Sequence, residues 1–88
     1  MEKDYSKIIE MLPTIIDLYE SNGIENDDLR VAYNNLTNAY YRTDTLCENA
    51  IETYKNYYEL LLRLNNDRYK DDLNKLLQIA KESNIKLD

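Results

Sequence analysis

Apolar residues recur along this chain at intervals of three and four, the spacing that gathers side chains onto one face of an α-helix. Tyr5, Ile8, Ile9, Leu12, Ile15, Ile16 and Tyr19 mark a first stripe, with Asp4 placed to cap its start. Pro13 falls inside it and lacks the N–H that would bond the carbonyl of Ile9. The apolar phase runs on across Pro13, so a kink is expected there, not a split. Ser21-Asn22-Gly23 ends the stripe, since Gly23 can take the left-handed conformation that closes helices. A second stripe, Leu29, Ala32, Tyr33, Leu36, Ala39 and Tyr40, begins after Asn26 or Asp27. Asp27 and Asp28 stand where the helix dipole favours negative charge.

Thr43-Asp44-Thr45 has poor helix propensity, and Thr45 followed by Glu48 matches a capping box, the signature of a new helix. The third stripe is Cys47, Ala50, Ile51, Tyr54, Tyr57, Tyr58, Leu61 and Leu64. Asn65-Asn66-Asp67 supplies the next turn and cap. A fourth helix carries Tyr69, Leu73, Leu76, Leu77 and Ala80, and closes at Asn84 with Ile85 folding back. Helices are therefore expected over about 4–21, 27–42, 45–64 and 67–82. The fold class is all-α: a small four-helix bundle, or two packed helical hairpins, in a single helical domain spanning 1–88. A rival pattern exists. Leu29 to Leu64 follow an unbroken 4-3 alternation, which as one rod of about 39 residues would be about 58 Å long and would demand a dimer. Its seam would hold Thr43, Cys47, Ala50 and several Tyr where coiled coils prefer Leu and Ile, so the break is expected.

Composition supports helices with short connections, because the 88 residues include one Gly and one Pro. A chain this size buries only about two-thirds of its unfolded surface, so a homodimer or a bound partner would add to a thin core. Phe and Trp are absent and Tyr occurs nine times. An amphipathic ring suits the rim of such a core, and Tyr is also enriched where proteins meet. Tyr41 stands beside the second stripe, Tyr58 shares a turn with Tyr57, and Tyr69 opens the fourth helix, so these are the candidate partner-binding rings. The formal charge of -6, from 17 acidic and 11 basic side chains, disfavours direct contact with nucleic acid or an anionic membrane and admits a protein partner with a basic surface. No stretch approaches the ~20 apolar residues that span a bilayer. The first apolar run is broken by Glu10 and Pro13, unlike a secretory leader, and Cys47 alone cannot form an internal disulfide. A cytoplasmic location is expected.

Candidates for chemistry are few. His, the commonest general base and metal ligand, is absent. One Cys cannot build a zinc site, and Cys47 on its stripe is expected to be a buried structural thiol. Asp27-Asp28 and Asp71-Asp72 are adjacent pairs whose side chains diverge by about 100°, so neither is an acid–base dyad. Both suit first helical turns, and they form the charged set of a candidate binding surface. Glu48 and Glu52 share a face, but no Glu-x-x-His accompanies them, and no glycine-rich loop could cradle phosphate. No catalytic residue, metal site or cofactor is expected; the chain does not read as an enzyme. Arg63, Arg68, Lys70 and Lys75 interleave with Asp67, Asp71 and Asp72 as mixed surface charge.

Tyr33, Leu36, Ala39 and Tyr40, followed by Ala50, Ile51, Tyr54 and Tyr57, give the stretch 32–64 a pattern that resembles a single tetratricopeptide-like helical hairpin. It departs from the repeat at Thr37, where Gly is usual, in a turn of about one residue, and at Asn65, near the usual terminal Pro. The resemblance covers about a third of the chain and implies a peptide-binding hairpin without enzymatic activity. The expected function is thus a small acidic protein-binding module, an adaptor, regulator or inhibitor. An alternative is an anti-defence protein of a phage or mobile element that fills the basic nucleic-acid groove of a host nuclease with carboxylates spaced like phosphates. Glu20, Glu25, Asp27 and Asp28 are the densest acidic run for that role.

Overall fold

Short polar side chains set where most of the helices begin. In the computed structural model, which describes residues 4–87, Asp4 accepts a bond from the Lys7 N–H at 3.2 Å and opens α1 (Tyr5–Ser21). Asn26 accepts from the Leu29 N–H at 3.0 Å and opens α2 (Asp27–Arg42). α3 covers Glu48–Leu64. Asn66 accepts from the Arg68 N–H at 3.0 Å and starts a 3-10 turn, Asp67–Tyr69, that leads into α4 (Lys70–Glu82). α1 is continuous through Pro13. No helix among the described residues is long and apolar enough to cross a membrane.

Left-handed residues set where the helices end. Gly23, Asp44 and Asn84 have φ of 67°, 52° and 58°. The N–H that follows each one bonds the carbonyl five residues back: Ile24 to Tyr19 at 2.9 Å, Thr45 to Tyr40 at 2.9 Å, Ile85 to Ala80 at 2.8 Å. This is the Schellman closure, with Asp and Asn at two positions because their short polar side chains tolerate the left-handed region. It also corrects the start of α3. Thr45 is held by the end of α2, its hydroxyl lying 2.8 Å from that of Thr43, so it cannot cap the next helix. α3 begins three residues later, behind Cys47, which makes no side-chain cap bond. The connection is therefore Thr43–Cys47, longer than the one-residue turn the sequence indicates, and the continuous rod does not form.

The helices alternate in direction around α2. Glu20 meets Tyr33 while Tyr5 and Ile8 lie near Asn38 and Arg42, so α1 runs antiparallel to α2. Arg63 reaches Glu25 and Tyr57 stacks on Tyr33, so α3 is antiparallel too. Arg30 meets Asp72 at one end and Tyr41 meets Glu82 at the other, which makes α2 and α4 parallel. The fold is a compact all-α bundle with a Cα radius of gyration of 12.3 Å. The whole second stripe is buried, Leu29 and Ala39 completely, and Ala50 of α3 likewise. Elsewhere the stripes shift. Leu60 and Ile79 are buried although neither falls in its stripe, while Ile15 and Leu77 are exposed. α3 packs against both α2 and α4, which widens its buried arc to take in Leu60 as well as Leu61.

The tyrosines depart most from expectation. Tyr33, Tyr40, Tyr54 and Tyr57 are not rim residues; they are 2–3% exposed or less and form the middle of the core. Tyr33 and Tyr57 stack in parallel, with ring centroids 5.7 Å apart and planes 4° from parallel. The Tyr33 hydroxyl donates to Glu20 Oε2 at 2.9 Å. The Tyr57 hydroxyl is buried without a partner among the described residues. A buried hydroxyl left unbonded costs roughly 1–3 kcal/mol. Tyr57→Phe should therefore leave stability unchanged or raise it by up to about 1 kcal/mol, whereas Tyr33→Phe should lower it by about 1 kcal/mol. Urea unfolding of the two variants would separate these outcomes, and equal losses would contradict the assignment.

Burial also raises the ionisation of Tyr33 and Tyr57, and pushes that of Tyr54 up to about 12. In the unfolded chain a tyrosine ionises near about 10. The folded form therefore holds protons that the unfolded form has released, and stability should be intact below pH ~10 and fall as pH climbs towards ~12. Tyrosinate absorbance followed together with circular dichroism should show a late, cooperative ionisation that coincides with loss of helix.

Candidate functional site

The candidate residues separate into different parts of the fold, and Arg30 gathers three of them. From the first turn of α2 its largely covered side chain donates through Nε to Asp27 Oδ1 at 2.9 Å and through Nη1 to Asp72 Oδ2 at 2.6 Å. Its Cζ lies 4.8 Å from the centroid of the Tyr69 ring, and the Tyr69 hydroxyl donates to the same Asp27 oxygen at 2.9 Å. Arg68 flanks that ring at 5.9 Å. The hydrogen bonds from Arg30 and then Tyr69 hold the Asp27 carboxyl below its ordinary range, and the bond to Asp27 raises Arg30 in turn. Tyr69, Asp27 and Asp72 are thus spent on joining the starts of α2 and α4.

Tyr58 is half-buried against the core beside the fully buried Tyr57. Asp28 and Asp71 are exposed and make no ion pair among the described residues. Tyr41, 40% exposed, sits at the other end of α2 and donates to Glu82 Oε2 at 2.9 Å. Cys47 is exposed, not buried, because the stripe it continued belongs to a helix that starts only at Glu48. Of the acidic run, Glu20 serves Tyr33, Glu25 pairs with Arg63 at 3.1 Å and Asp27 serves Arg30.

A groove that the sequence did not single out runs between α1 and α3. Both helices pack on α2 and leave a gap of about 350 Å³ between their own facing sides. Tyr33, Leu36 and Tyr40 of α2 form its floor, and Ile9, Pro13 and Ile16 extend the apolar surface up α1. Asp17 and Glu20 edge one side; Asn49, Glu52 and Asn56 edge the other. Thr53 between them bonds its hydroxyl to the Asn49 carbonyl at 2.6 Å. No Lys or Arg lines the groove among the described residues. The signal was present as a second periodicity: Asn49, Glu52, Thr53 and Asn56 follow helical spacing in short polar residues, as Pro13, Asp17 and Glu20 do on α1.

Chemically the groove is suited to holding a chain. Ile9 and Pro13 give its wall a small apolar contact, the asparagine amides offer a donor and an acceptor each to a peptide backbone, and the carboxylates favour cations. Among the described residues no three or more Cys, His, Asp or Glu side chains gather closely enough to hold a metal ion. The chain matches no family model, no curated protein and no solved structure. The tetratricopeptide-like pattern of 32–64 rests on its residues alone.

If the Arg30 cluster is structural, Arg30→Ala should lower stability by about 1–3 kcal/mol, because two carboxylates and a ring lose their common partner. Asp28→Ala and Asp71→Ala should stay within about 0.5 kcal/mol. Thermal unfolding of the three variants tests this, and an Arg30→Ala protein as stable as the parent would refute it.

Proposed function

We propose that this protein is a non-catalytic protein-binding module, acting as an adaptor, regulator or inhibitor, that takes a segment of its partner into the groove between α1 and α3. One observation carries the reading: a groove closed at its base by the nearly buried Tyr33, Leu36 and Tyr40, with Ile9 and Pro13 on one wall, is edged by Asp17, Glu20, Glu52 and two asparagines, with no cation in the lining among the described residues. The partner segment it favours carries Lys or Arg together with apolar side chains, consistent with the net charge of -6. We place this activity in the cytoplasm, where the exposed thiol of Cys47 would stay reduced. Self-association, if the partner is a second copy, would use the outward residues Met11 and Leu18 of α1, which are 57% and 60% exposed. Mimicry of nucleic acid draws less support, since three of the four carboxylates in the densest acidic run are engaged within the fold.

Synthetic peptides alternating Leu with Lys, and matched peptides alternating Leu with Glu, provide the test. The Lys series should shift the amide resonances of Asp17, Glu52 and Asn56 saturably, and the Glu series should not. Asp17→Lys with Glu52→Lys should weaken binding at least about tenfold, and Asp28→Lys with Asp71→Lys by less than about threefold. Equal effects from both pairs would reduce the groove to a nonspecific acidic surface and overturn the proposal.

A further inference from the structure

At the end of the bundle opposite Arg30, a second recess of about 460 Å³ opens where the last turns of α2 and α4 meet the start of the loop to α3. Tyr40, Tyr41 and Tyr54 line it together with Asp44 and Glu82. The groups that line it are negative or neutral, although Arg42 lies close enough to act on Tyr41. α2 and α4 run parallel, so two helix C-termini, each carrying partial negative charge, point the same way here. Asp44 and Glu82 add two carboxylates, and no Lys or Arg lines the recess among the described residues. The Tyr41 hydroxyl donates to Glu82 Oε2 at 2.9 Å, which fixes that carboxylate at the edge and leaves its other oxygen open.

The second observation is independent of charge. Tyr40 and Tyr54 are 3% and 2% exposed, and neither hydroxyl takes part in any hydrogen bond among the described residues, in contrast to Tyr33, Tyr41 and Tyr69. Burial first, and then the nearby hydroxyls of Tyr40 and Tyr41, push the Tyr54 ionisation up to about 12. The three phenols line one recess and remain neutral, each oxygen able to accept a hydrogen bond. The rings of Tyr40 and Tyr54 are thus nearly buried while their unpartnered hydroxyls open on the recess, where an incoming donor can bond them in place of water.

We propose that this recess binds a primary alkylammonium group. Such a group carries three N–H donors and a positive charge on a flexible apolar stem. The donors match Glu82, Asp44 and the free phenol oxygens, the charge matches the two carboxylates, and Leu46, 56% exposed, borders the recess where the stem would lie. A quaternary ammonium has no N–H donor and would leave the acceptors unmet. The group belongs either to a lysine side chain of a partner protein or to a small free amine. The site is separate from the groove and stands whether or not the groove takes a peptide.

Titration with n-butylammonium, monitored by amide resonances, tests it, with 1-butanol as the uncharged control. Saturable shifts at Tyr41, Leu46 and Asn84 are expected with the cation and not with the alcohol. Glu82→Gln retains an acceptor for Tyr41, and Asp44→Asn retains a residue that tolerates positive φ, so both variants should fold. Each should weaken binding by about tenfold. A Gly-Lys-Gly peptide blocked at both ends separates the sources: binding about tenfold tighter than butylammonium assigns the group to a partner's lysine, and equal or weaker binding assigns it to a free amine. Shifts of equal size with 1-butanol, no saturable response, or full affinity in both variants would overturn the proposal.

Discussion

With neither Phe nor Trp available, this chain must build its core from rings that each carry an oxygen. Every such ring contributes apolar area only if its hydroxyl reaches a polar partner or an opening to solvent. The arrangement of the molecule follows from that condition. Tyr33 lies flat against Tyr57 in the centre and sends its hydroxyl to Glu20 on α1. Tyr69 sends its own to Asp27, and Tyr41 to Glu82. The unbonded hydroxyl of Tyr57 is the exception, buried within reach of the charges of Arg30 and Asp72. A phenylalanine core could close on itself; a tyrosine core keeps polar seams running inward from its surface.

Those seams coincide with the openings in the fold. α1 and α3 both pack on α2, and α4 packs on α3, so α1 and α3 do not close fully on one another. Where α1 and α3 part, the nearly buried rings of Tyr33 and Tyr40 close the base of the groove. Where α2 and α4 end together, Tyr40, Tyr41 and Tyr54 surface in the recess. Both openings carry carboxylates, Asp17, Glu20 and Glu52 at the groove and Asp44 and Glu82 at the recess.

Helix existence and type were legible because periodicity and capping chemistry agree locally. Asp4, Gly23, Asn26 and Asn84 do what their residue types favour, and the stripe from Leu29 to Tyr40 is buried as its spacing requires. The errors arose where one residue had two possible allegiances. Thr45 suits the cap of α3, but the closure of α2 uses its N–H first, and that displacement carried Cys47 out to solvent. Leu60 and Ile79 lie off their stripes because burial depends on how many neighbours a helix has, which spacing within one helix does not record. Asp27, Asp72 and Tyr69 looked like surface candidates because a contact 42 residues away along the chain cannot be read locally. The groove was missed for a related reason: attention to apolar spacing passes over short polar residues that follow the same period.

α4 is fastened differently from the rest. It buries only Leu76, Ile79 and Ala80, and much of its attachment to α2 is a pair of polar clasps, Arg30 with Asp72 and Tyr41 with Glu82. Dissolved ions weaken such clasps far more than they weaken packed rings. The bundle should thus dismantle in order, its last helix lifting away as a separate cooperative unit while α1, α2 and α3 hold. Ionic strength would act as the dial on that opening. Since α4 supplies Glu82 to the recess and no side chain to the groove, one condition could dissolve the first opening and spare the second.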